Sequence, residues 1–115
     1  MTTLFDEREQ AFERRFAHEE ELRFHTRNRR NRLLATWACE RMRLTGTAAE
    51  GYVTSFTEGA VVTDDEDLIV RLDADLKAAG VAVAPAILRK EMERCAALAH
   101  AERRVGLALD QGSAV

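Results

Sequence analysis

Acids, histidines, cysteines and arginines are the side chains from which a catalytic or ligand site could be built. This chain of 115 residues holds 20 Asp or Glu, three His and two Cys, so their spacing must decide what they can do. His18, His25 and His100 are scattered, and no Cys/His spacing makes a zinc site. Glu21 and His25 are four residues apart and can meet on one side of a helix, which reads as a surface pair. Cys39 has no base supplied by its sequence neighbourhood and reads, with Cys95, as a reduced core residue. The acids at 64–67 lack the glycine turn and bidentate glutamate of an EF-hand loop and suit a helix start better than a metal. No GxxxxGK[ST] loop is present, so the chain is not itself a P-loop ATPase. The expectation is a protein that is not an enzyme and needs neither cofactor nor metal.

The arginines are the remaining candidates. Net charge is only −3, yet it is uneven. Residues 1–22 and 44–80 are acidic, whereas 23–43 carries Arg23, Arg27, Arg29, Arg30, Arg32, Arg41 and Arg43 against Glu40. Arg23, Arg27 and Arg30 recur at i, i+4 and i+7 and share a helix side. They can orient an acidic partner surface, or bridge to acids of this chain such as Asp73 or Asp75. Nucleic-acid binding is the weaker reading, because the overall charge is acidic and no aromatics are interleaved for base stacking.

Four helices position these groups. Residues 5–37 contain no Pro or Gly and are rich in Glu, Arg, Leu and Ala, so a long first helix is expected to about Arg43. Its core side is Leu33, Leu34, Trp37, Ala38, the Arg41 stem and Leu44, and Gly46 should end it. Thr45 or Thr47 can cap a second helix over about 47–58, with capping-box spacing at Thr47–Glu50 and Ala49, Tyr52, Val53 and Phe56 inward. Thr63–Glu66 has the same spacing and opens a third helix burying Leu68, Ile69, Leu72, Leu76 and Ala79. Gly80 closes it in the left-handed region with Val81 as the following contact. Pro85 starts a fourth helix with Ile87, Leu88, Met92, Cys95, Leu98 and Ala99 on its apolar side. Short connections imply antiparallel neighbours in an all-α, small four-helix bundle.

The long helix carries two apolar patches. At about 100° per residue Phe5, Phe12 and Phe16 share a narrow face, and Leu33, Leu34 and Trp37 return near it. Polar Glu19, Arg23, Arg27 and Arg30 separate them. The second patch can join the core, while the first has no evident partner in the chain. The expected organisation is a poorly anchored, flexible N-terminal arm over 1–19, a bundle over 20–110 and a frayed tail over 111–115. No apolar stretch is long enough to span a bilayer, and the start MTTLFDE lacks the cationic and apolar regions of a signal peptide. The arm's aromatics point to docking in a groove of another protein.

These residues also carry a resemblance. The spaced Phe5, Phe12 and Phe16, the Phe16-Ala17-His18 triplet, the Glu-Leu-Arg-Phe run at 21–24, and Arg29-Arg30-Asn31 before Trp37 resemble the zeta-type inhibitor subunit of alphaproteobacterial F-type ATP synthases. The resemblance spans essentially the whole chain and is strongest from Phe5 to Tyr52. It implies a regulatory inhibitor of ATP hydrolysis whose arm enters a catalytic interface of the enzyme head. The implied partner-binding residues are Phe5, Arg8, Phe12, Arg15, Phe16 and His18 on the arm, with Arg23, Arg27 and Arg30 at its base. It further implies a protein that is a monomer when free, without membrane insertion. Its place would be the cytoplasm, peripheral at the inner face of the plasma membrane when bound. A helical adaptor for another protein is the alternative.

Overall fold

The computed structural model describes residues 3–113, with side chains described as far as residue 107. Among these residues four helices and no strand occur: α1 Leu4–Met42, α2 Gly46–Ala60, α3 Asp65–Ala78 and α4 Pro85–Ser113. The all-α expectation holds. The frayed tail expected over 111–115 falls where side chains are not described, and its last two residues lie outside the described part.

The helix ends follow from local chemistry, in several places not the chemistry first expected. α1 starts at Thr3, whose hydroxyl accepts from the Asp6 N–H at 3.2 Å while the Thr3 N–H donates to the Asp6 carboxylate. Each residue satisfies an otherwise unpartnered group of the other, and Asp6 and Glu7 favour the positive helix end. α1 stops four residues before Gly46. Arg43 takes the left-handed conformation at φ 59° and the Leu44 N–H reaches back to the Cys39 carbonyl at 2.9 Å. Gly46, also at positive φ, instead opens α2 behind an extended Thr45, so no capping box forms at Thr47. At α3 the cap shifts by one residue. Asp64 accepts from the Asp67 N–H at 2.9 Å, and Thr63 turns its hydroxyl back to the Gly59 carbonyl at 2.8 Å. Gly80 and Pro85 fill the roles read from the sequence, with the Val81 N–H on the Leu76 carbonyl at 2.8 Å.

α1 is the spine, packing mainly on α2 and α4, while α3 lies against α4 and α1. Leu34, Ala35 and Ala38 of α1 meet Phe56, Leu68, Leu72, Leu76, Leu88 and Cys95 in one core. Some assignments need correction. Ala79, Ile87 and Leu98 are exposed: Ala79 is the cap beyond the end of α3, and Ile87 and Leu98 stand at the edge of the apolar side of α4. Trp37 and Tyr52 are only half-buried. Each has a polar reason: the Arg41 guanidinium lies 5.2 Å over the Trp37 ring, and the Tyr52 hydroxyl donates to Asp75 at 2.9 Å. Both cysteines are free and buried.

Candidate partner-binding arm and its base

The first half of α1 leaves the bundle altogether. From Leu4 to Glu21 every residue except half-buried Asp6 is exposed. Phe5, Phe12 and Phe16 are 75, 70 and 58% exposed, so three large rings stand in solvent on one side of a helix. Arg8, Arg15 and His18 are exposed too; at about 100° per residue the two arginines flank the ring face and His18 falls well away from it. The arm is helical through its own sequence: the Thr3 capping box, the Arg14 side chain on the Gln10 carbonyl, and the run of strong helix formers. Among the described residues, no hydrogen bond or salt bridge runs from residues 4–21 to another helix. At about 1.5 Å per residue this free stretch projects roughly 27 Å.

The arginines divide at the base. Arg23 makes only an exposed local pair with Glu20 at 2.9 Å. Arg27 donates to the Thr63 carbonyl at 2.7 Å and approaches Asp65 at 3.5 Å. Arg30 grips Asp65 with two nitrogens at 2.8 and 3.0 Å and also donates to the side-chain oxygen of buried Asn31. Arg30's side chain is only 11% exposed. Its hydrogen bonds hold the Asp65 carboxyl below the ordinary carboxylate value. Arg29, on another side of α1, makes a matching fork to Glu102 of α4 at 2.7 and 3.1 Å, which lowers the Glu102 carboxyl. Thus the guanidiniums of Arg27, Arg29 and Arg30 tie α1 to the α2–α3 turn and to α4 just where the arm departs.

The internal partners are not the ones suggested by sequence. Asp73 pairs with Lys77 at 2.9 Å, and Asp75 is held by Tyr52 and Arg71. Asp65, Thr63, Asn31 and Glu102 were missed. The acid run at 64–67 carried part of the signal, since a helix start rich in carboxylates is also a place for an arginine to land, but the pairing partner 35 residues away is not readable from spacing. Glu21 and His25 do approach, at 3.8 Å and fully on the surface. Burial raises both cysteine thiols, Cys95 to about 11, which disfavours their thiolate forms at neutral pH. Among the described residues no cluster of His, Cys, Asp or Glu could hold a metal, and no helix is long and apolar enough to cross a membrane.

The arrangement is therefore a packed helical bundle presenting one long aromatic-faced helix. A family model described as ATPase inhibitor subunit zeta matches residues 1–102. No curated protein and no solved structure matches the chain.

Proposed function

The chain belongs to the ATPase inhibitor subunit zeta family, and from that premise we propose that it blocks ATP hydrolysis by inserting its arm into a catalytic interface of the F-type ATP synthase head. Membership makes the chain a regulatory protein and not an enzyme. The observation that carries the mechanism is the unpacked helix itself. Phe5, Phe12 and Phe16 expose their rings on one side, and none of the described residues covers them. A crevice that buries them would gain their apolar area, and one that opens and closes during the catalytic cycle would select when the arm can enter.

In this reading Phe5, Phe12 and Phe16 supply the buried contacts. Arg8, Arg15, His18 and Arg23 face the crevice walls with exposed charge or hydrogen-bonding capacity. Arg27 and Arg30 act differently from the rest: they hold the base of the arm to the bundle and set its direction. Their engagement with Thr63 and Asp65, and that of Arg29 with Glu102, favours this reading over a surface that tracks nucleic-acid phosphates. In this reading the free inhibitor is a cytoplasmic monomer, and it sits at the inner face of the plasma membrane only when bound to the enzyme. A photoreactive group at position 12 tests the proposal. It should crosslink to the catalytic head during hydrolysis; crosslinks confined to groups placed on α3 or α4 would move the active surface to the bundle.

A further inference from the structure

We propose that the α2–α3 turn at Val61–Val62 is a second contact with the same enzyme head, at the mouth of the crevice the arm enters; this rests on the reading of the arm above. Val62 is 91% exposed and Val61 52%. The turn is nevertheless fixed. The Val61 and Thr63 N–H groups donate to the Glu58 and Ala60 carbonyls, both at 3.3 Å, and the Thr63 hydroxyl donates to Gly59. From α1, Arg27 donates to the Thr63 carbonyl and Arg30 grips Asp65. Val61 lies in the ordinary right-handed region and Val62 is not at positive φ, so the turn's backbone does not call for valine, and these two side chains add nothing to the core.

Their position gives them a use. At about 100° per residue, Phe5, Phe12, Phe16, Arg23, Arg27 and Arg30 all fall within about 60° of one another around α1. Arg27 and Arg30 line one shallow depression with Val61, Val62, Asp64 and Asp65. The valine turn therefore rises on the side of α1 where the Phe rings stand. Arg27 lies about 17 Å along the axis from Phe16 at 1.5 Å per residue. A surface that grips the rings reaches the turn next, once the arm is fully seated.

The chemistry of the turn specifies what it meets. Beside the two valines stands Asp64, which lines the same depression and forms no salt bridge among the described residues. The complementary patch on the head is apolar with a basic rim, the usual make-up of a small interface core and its border.

Inhibition of hydrolysis by the purified head, titrated with wild type, Val62→Asp, Val62→Ile and Phe12→Ala, tests the proposal, together with a photoreactive group at position 62. Val62→Asp should weaken inhibition about ten-fold, the scale expected for one lost buried valine, with an unchanged thermal midpoint. Val62→Ile should inhibit like wild type, and position 62 should crosslink to the subunits that position 12 reaches. Full inhibition by Val62→Asp, or no crosslink from position 62, alongside a weakened Phe12→Ala, overturns the second contact and leaves the arm reading standing. Full inhibition by both variants overturns the two together.

Discussion

The two halves of α1 are one continuous helix and two different kinds of structure. Residues 4–21 are helical with no side-chain bond to another helix among the described residues, and in residues 31–39 Asn31, Leu34, Ala35, Ala38 and Cys39 are buried against the bundle. The first half rests on a capping box and local side-chain bonds, each a marginal contribution to an isolated helix of that length. The second half shares the stability of the whole bundle. The contrast teaches that helix is a geometry, whereas anchoring is a property of the surroundings. In a docking protein the least anchored part can hold the binding residues.

Removing one half at a time should separate the two most sharply. A chain lacking residues 1–16 should lose inhibition of ATP hydrolysis completely and keep its thermal midpoint nearly unchanged; retained inhibition would erase the distinction drawn here. Phenylalanines provide the next comparison, since the same residue type occurs in both settings. Phe56→Ala, in the core at 0% exposure, should cost about 3–5 kcal/mol in urea unfolding. Phe12→Ala should leave urea unfolding alone and weaken inhibition about ten-fold, if its ring is buried only in the complex. Equal stability losses at the two sites would mean that the arm folds back on the bundle in solution.

Smaller effects sit at the base. Asp65→Asn should lower stability by about 1 kcal/mol at neutral pH, since Asp65 itself is half-exposed while its partner Arg30 is nearly covered. The sign of the pH dependence follows from the depressed carboxyl. The Asp65 contribution is complete above its unfolded value near 3.8 and is lost as pH falls through the lower folded value. Acid-unfolding curves of wild type and Asp65→Asn should differ at neutral pH and converge at the acid end. The smallest expected change is at the exposed Glu20–Arg23 pair. Glu20→Gln should alter stability by less than about 0.5 kcal/mol, measured by urea unfolding.

Much of the fold could be read from single residues. Gly80 before Val81, Pro85, and the periodic leucines at 68, 72 and 76 each have one physical solution, and the chain adopts it. Errors arose where two solutions compete locally. Thr63 and Asp64 can both cap α3, and the carboxylate wins while the hydroxyl finds Gly59. Arg43 rather than Gly46 takes the left-handed turn of α1, because the reach of Leu44 to Cys39 closes the helix earlier. At the candidate site the aromatic face was legible, because periodicity alone defines it. The Arg30–Asp65 and Arg29–Glu102 forks were not, because they join distant segments whose meeting depends on the packed bundle.

Because α1 is continuous over its 39 residues, the Phe rings keep one rotational phase relative to the bundle for as long as the arm is helical. One residue inserted between Glu19 and Leu22 would swing the rings about 100° around the axis and advance them only about 1.5 Å. Seven residues would restore the phase to within about 20° but lengthen the projection by about 10 Å. Natural length changes in this stretch are therefore expected to avoid single residues and to come, if at all, in near-whole turns. The helix behaves as a keyed shaft, in which angle and depth cannot be adjusted independently.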